Sequence, residues 1–456
     1  MIALACAKVR VVRHSVIRIA AALALCFQAR LHAAENIDLS VVNKIKSEAF
    51  GEKSKVMETA FYLTDVYGPR LTGSPNIKAA GDWAVKTMTG WGVSNAKMEA
   101  WGPFGRGWAC TRFTAMMKEP GFSPLIGFAR PWSNGTNGPV SGEAMMAVIA
   151  GPDDLAKFKG KLKGKIVLTA APHPSELMLT PLSRRLTDKE LEDAAAAPDP
   201  SKGNPAALPL GFLTPGGPAR AGGPPGGPGG PGARNNLRQF RAQLNKFLKD
   251  EGVLVAITPG SGTDGGDVFG QAAGSQDPKE EAPPASVVIT NEHYNRIARL
   301  VEKKVPVTLE FDIQNKFTEP ADSFNITAEI PGADSNAGFV MLGGHFDSWT
   351  GGTGATDNAA GSAVAMEALR ILKALDLKMA RAVRIGLWSG EEQGLLGSRA
   401  YVKDHFADPT DMKVKPEHAK LSGYFNLDNG GGKIRGVYAQ DNDMMVPIFQ
   451  AWLAPF

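Results

Sequence analysis

The chain has 456 residues, 43% of them hydrophobic and 21% charged, with a formal net charge of +4. This is the balance of an ordinary globular protein with material for more than one domain, and it excludes a low-complexity chain. Five basic residues and no acid fall within residues 1–34. Without them the net charge is −1, so a nucleic-acid-binding surface is not expected.

Those first 34 residues read as an export signal. Basic residues ending at Arg18 precede the apolar run "IAAALALCF" and then "ARLHAAEN". The run is shorter than the roughly 20 apolar residues of a permanent membrane span, so the expected destination is periplasmic or extracellular. Cys6 and Cys26 would leave with the signal. Cys110 would remain alone, which excludes an intramolecular disulfide and a metal site built on thiolates.

Residues 48–100 read as helices interrupted by "YGPRLTGSP", a turn-rich loop from Tyr67 to Pro75. Residues 101–125 mix aromatics with glycines and suggest short strands. Four further buried strands are expected in "AMMAVIA", "GKIVLTA", "GVLVAITPG" and "PASVVIT". Between the second and third lies the proline- and glycine-rich tract 214–234, which has little to bury and reads as a disordered loop. A helix follows it, with Leu237, Phe240, Leu244 and Phe247 or Leu248 at helical spacing. Residues 138–307 therefore read as a small inserted β-rich domain, set between 35–137 and 308–456.

From Thr308 onward strands and helices alternate: "GFVMLGGH", a helix over 361–375, "AVRIGLW", a helix from Leu395 to His405, and "LSGYFNLDNGG". The expected fold class is α/β, a mostly parallel mixed sheet with helices on both faces. Ligand sites in such sheets gather at the carboxyl ends of strands. There stand His345 and Asp347, then Asp357 in the next loop, then the adjacent Glu391 and Glu392, then Asp428. Imidazole plus carboxylates without thiolate suits Zn²⁺. So many carboxylates at one rim would repel one another without a cation. One glutamate of the adjacent pair can then bind metal while the other carries a proton.

With "GPRLTGS", "GGHFDSW", "GATDNAAG", "WSGEEQGLLGS" and "NLDNGG", the chain resembles the dizinc exopeptidases that include bacterial leucyl aminopeptidases, aminopeptidase Y and plasma glutamate carboxypeptidase, and most closely the last branch. The inserted section is similar to the protease-associated domain common in that family. The resemblance implies that His345 and Asp428 bind a first zinc and that Asp347 orients the His345 ring. It further implies that Asp357 bridges both metals, Glu392 binds the second zinc, and Glu391 is the general base. Short peptides would be the substrates, and a homodimer is compatible with the family.

The resemblance also implies one more histidine on the second zinc, several tens of residues beyond Asp428. Only 28 residues follow Asp428 and none is histidine; His405 and His418 precede it. The expectation is therefore that a terminal strand and a ligand loop are missing from this chain, leaving one tight zinc site and little activity. Two other classes compete with the exopeptidase reading. One is an amide-handling zinc relative, such as a glutaminyl cyclase or a deacylase, against which the dizinc set argues. The other is a non-catalytic member such as transferrin receptor.

Overall fold

The computed structural model describes residues 36–173, 179, 187–195, 231–260, 268–428, 432, 434, 436–439 and 442–456. The expected export signal and the glycine-rich tract as far as residue 230 lie outside the described residues. The chain divides into two compact units, one taking residues up to Ser54 and from Gly432, the other Lys55–Gly431. In the smaller unit, helix α1 (Leu39–Ala49) is capped by Asp38, whose carboxylate accepts the Ser40 and Val41 N–H groups. Lys46 in that helix donates to the Pro455 carbonyl and stands 4.9 Å over the Phe456 ring.

The larger unit opens with α2 (Val56–Phe61), a π-helical turn (Tyr62–Val66), and α3 (Pro75–Gly90). Ser74 caps α3 and Pro75 supplies its first position, where a missing N–H costs nothing. Ile77, Ala80, Ala84 and Met88 form its buried face. Two long antiparallel strands follow the logic of pairing rather than of propensity: β1 (Ser94–Glu119) and β8 (Thr308–Ile330) run against each other almost throughout.

That ribbon corrects two expectations. Residues 94–100 are strand rather than helix, because pairing with β8 outweighs the helix preference of Ala, Lys, Met and Glu. Residues 101–119 belong to one continuous, bulged strand rather than several short ones. Their glycines mark close approach and not turns: a Cβ on Gly107 would fall 1.9 Å from the Gly73 carbonyl oxygen.

The ribbon joins two half-sheets. On one side lie β2 (Ser123–Pro124, paired with β1), β3 (Gly127–Ala129), β4 (Val140–Met146), β5 (Ile166–Leu168), β6 (Val255–Pro259) and β7 (Ala285–Ile289). β4 to β7 are parallel, in that order, and β3 closes the edge antiparallel to β7. Helices α4 (Leu155–Phe158), α5 (Asp188–Ala195) and α6 (Pro231–Asp250) fall between the strands of this half. α6 begins within the tract expected to be a loop. Leu248 of α6, with Phe240, Leu244 and Phe247, packs on Leu162, Val167 and Ala256, as the helical spacing predicts. α7 (Asn291–Glu302) then leads into β8.

On the other side of the ribbon β8 pairs antiparallel with β10 (Ala382–Trp388). β10 runs parallel to β9 (Phe339–His345), and β9 parallel to β11 (Leu421–Asn426). Val383, Ile385 and Leu387 are buried with α3 and with α8 (Ala360–Ala374) on one face. Each such side chain contributes roughly 1.5–3 kcal/mol. Phe339, Met341 and Trp388 are buried on the opposite face with Tyr401 of α9 (Leu396–His405). α10 (Val446–Leu453) belongs to the smaller unit. The fold is a mixed α/β sheet with helices on both faces. Its three parallel strands β9, β10 and β11 end at a common rim.

Candidate metal centre

His345 is the last residue of β9, and its side chain is 2% exposed. Nδ1 faces back into the protein, 3.1 Å from the Asp347 carbonyl oxygen. A proton donated there leaves the Nε2 lone pair pointing at the rim. Nε2 stands 2.8 Å from an Asp357 carboxylate oxygen and 3.1 Å from one of Asp428. The three ligand atoms lie within 4.8 Å of one another. Ligands about 2 Å from a tetrahedral zinc stand about 3.4 Å apart, so the donor set and its spacing fit that ion.

Asp357 reaches this position because the chain does not enter α8 directly. The turn Ala355–Ala359 carries non-helical angles at Asp357 and Asn358, and the peptide between them is cis. Asn358 then ties two ligand-bearing segments together. Its side-chain amide donates to the Leu427 carbonyl at 2.9 Å, and its amide oxygen accepts the Gly361 N–H at 2.9 Å. Ser362 adds a bond to the His345 carbonyl at 2.8 Å.

Asp347 is fully buried behind His345, with one carboxylate oxygen 3.5 Å from Nδ1. Thr72 donates to Asp347 at 2.9 Å and accepts the Gly390 N–H at 2.8 Å. The Glu391 and Glu392 N–H groups reach the same carboxylate at 3.2 and 3.4 Å. This one carboxylate therefore fixes both the imidazole and the turn holding the glutamate pair. That turn lies ahead of α9, outside the helix.

Among the described residues neither glutamate carboxyl has a hydrogen-bond partner. Burial pushes Glu391 up to about 7 and Glu392 up to about 9, with the surrounding aspartates adding to the rise. His345 moves the other way from what burial favours. Its bonds with Asp347, Asp357 and Asp428 hold the imidazolium form well above its usual range. A cluster that favours a charged histidine and raises both glutamates toward their neutral forms is short of positive charge.

The structure thus brings His345, Asp357 and Asp428 together, sets Asp347 behind them, and places Glu391 and Glu392 on the adjoining turn. Among the described residues this is the one three-donor group of metal-ligand type, and Glu392 is not part of it. His405 lies elsewhere: one ring nitrogen is 2.9 Å from Glu417, the other 2.5 Å from Glu99. His418 sits in a short 3-10 turn, His418–Lys420. Cys110 is a free, exposed thiol. Thr72, Asn358 and Ser362 are site residues that spacing alone does not single out, although the first two fall inside the quoted motifs.

Residues 325–452 match the model of peptidase family M28. Carboxypeptidase Q of Bos taurus is 24% identical over 383 residues, 84% of this chain and 66% of its own; that of Mus musculus is 24% identical over 374 residues, 82% and 64%. The chain therefore spans slightly under two thirds of the length of these relatives. Leupeptin-inactivating enzyme 1 of Streptomyces exfoliatus is 36% identical over 131 residues, 29% of this chain and 28% of its own. A crystal structure of a peptidase M28 precursor from Shewanella amazonensis shares the fold, with a TM-score of 0.57 and 21% identity. That match covers 91% of this chain and 80% of the other. The family match over residues 325–452 and the likeness to carboxypeptidase Q over most of the chain point the same way, and the shared fold agrees with both.

Proposed function

We propose that this chain is an exported, zinc-dependent exopeptidase acting on short peptides. The observation that carries the reading is the convergence of His345 and Asp428, at the ends of β9 and β11, with Asp357 of the turn before α8, beside two glutamates that have no hydrogen-bond partner among the described residues. Relatives named as carboxypeptidases support peptide substrates. The basic and apolar composition of residues 1–34 supports export. Among the described residues no helix is long and apolar enough to cross a membrane. The strands β4 to β7, with their own buried cluster, support reading residues 138–307 as a protease-associated type of insertion.

His345, Asp357 and Asp428 would hold the metal. Zinc bound there would polarise the scissile carbonyl and make an attacking water more acidic. Glu391 takes the water's proton and delivers it to the departing amine. Its half-buried carboxyl, raised to about 7, suits that exchange near neutral pH. Asp347 holds the His345 ring and both glutamate N–H groups. Glu392, with a share of Asp357, is proposed to serve a second zinc.

The test is to purify the 456-residue chain, measure zinc per chain, and assay dipeptides with free and blocked termini before and after chelation. Hydrolysis that disappears with zinc and returns on its addition is expected. Full hydrolysis at negligible zinc would overturn the reading.

A further inference from the structure

Arg70, in the loop between the π-helical turn and α3, is 0% exposed. Among the described residues no carboxylate bonds its guanidinium, and each donor goes to the main chain. Nε donates to the Phe346 carbonyl at 2.7 Å. Nη1 donates to Leu63 at 2.5 Å and to Thr353 at 3.1 Å, and Nη2 donates to Gly354 at 3.1 Å. The Arg70 backbone bonds Ser348 reciprocally: its N–H donates to Oγ at 3.0 Å and its carbonyl accepts the Ser348 N–H at 3.1 Å.

Phe346 follows His345 at the exit of β9, and Gly354 lies three residues before Asp357. One guanidinium therefore grips both ends of the loop that separates two of the metal-binding side chains. The loop is closed tightly. Gly354 has φ +67°, and a Cβ on it would fall 2.4 Å from the Ser348 Cβ. A planar fork can reach both ends at once, whereas a lysine ammonium is a single point.

Asp347 and Asp357 favour the Arg70 charge against the cost of its burial, but that charge does not help a metal to bind. A buried positive charge near Asp347 and Asp357 opposes the arrival of a divalent ion. The benefit of Arg70 must then be geometric. We propose that Arg70 is a positioning residue that fixes the separation of His345 and Asp357, and so sets the zinc affinity of the site. The inference rests on the metal-site reading above.

Geometry and charge predict opposite signs, which makes the inference testable on the full chain. Zinc dissociation constants would be measured by competition with a chelating dye for the wild type, Arg70→Lys and Arg70→Met. Cobalt absorption spectra and amide hydrogen exchange would be recorded alongside. Both variants are expected to bind zinc about 10- to 100-fold more weakly, the usual cost of losing a group that orients ligands. The cobalt bands should change, and exchange should accelerate within residues 346–359. Unchanged affinity in Arg70→Lys, or tighter binding in Arg70→Met with an unaltered cobalt spectrum, overturns the inference. If neither variant folds, Ser348→Ala decides: it removes an anchor without touching the charge. Several-fold weaker zinc binding supports the staple, and unchanged binding overturns it. A wild-type chain that binds no zinc would overturn the metal-site reading itself, a separate result.

Discussion

The molecule holds two histidines pressed between carboxylates, and they differ in what surrounds the carboxylates. At His405, Glu99 also bonds Lys97 at 3.1 Å and Glu417 also bonds Arg384 at 2.5 Å; Arg384 meets Glu329 at 2.9 Å as well. Burial alone would raise Glu99 and Glu417. Their bonds to His405, Lys97 and Arg384 instead hold both below the usual carboxylate range. At His345 no lysine or arginine among the described residues bonds the carboxylates, and the neighbouring glutamates are pushed up. Proximity of histidine to acid is common to both. A cation bonded to the carboxylates is what distinguishes the strut from a place for a metal; at His345 the nearby Arg70 spends its donors on main-chain carbonyls.

The largest effect that tests this contrast is on the rate. Glu391→Gln should lower peptide hydrolysis by about 10²- to 10⁴-fold while zinc per chain stays unchanged, because the side chain carries a proton and not the metal. Loss of zinc with hydrolysis retained would reverse the assignment. Next in size, Asp428→Asn should weaken zinc binding by at least about 10- to 100-fold, whereas His405→Gln should leave zinc binding as it is. A zinc deficit in His405→Gln would erase the distinction between the two clusters.

The same His405→Gln substitution sharpens the contrast from the other side. It removes bonds to two carboxylates at a partly exposed position, and urea unfolding should show a loss of about 1–3 kcal/mol. The smallest effect is a pH dependence. Glu99 and Glu417 are lowered in the folded protein, so their contribution is present above their ordinary value of 4.5 and is lost as pH falls through the folded values. Stability measured from pH 5 downward should decline less steeply in a Glu99→Gln, Glu417→Gln double variant. An unchanged slope would mean that other carboxylates dominate acid unfolding.

Parts of this arrangement can be read from sequence because they obey short-range rules. β9, β10 and β11 are largely apolar runs with a titratable residue at the strand end or within three residues beyond it, so His345, Glu391 and Asp428 stand out. Asp357 precedes a helix whose apolar spacing is regular. The long β1 strand is not readable this way: "NAKMEAWG" has helical composition, and only its distant partner makes it extended. Arg70 is hidden for a related reason. Its partners are carbonyl oxygens, which every residue has, so no residue type elsewhere betrays the contact. The His405 strut is equally opaque, since Glu99 and His405 lie 306 positions apart.

The ribbon of β1 and β8 also sets a schedule for the chain. Its strands pair residues that lie roughly 200 positions apart, and each half-sheet uses one end of the ribbon as a member. Contacts of such high sequence separation are slow to form, because a large loop must close before they reward it. While the polypeptide is being synthesised, β1 must wait with an unpaired edge until residue 330 has emerged. The two half-sheets, though each has its own hydrophobic cluster, should then acquire final order late and together.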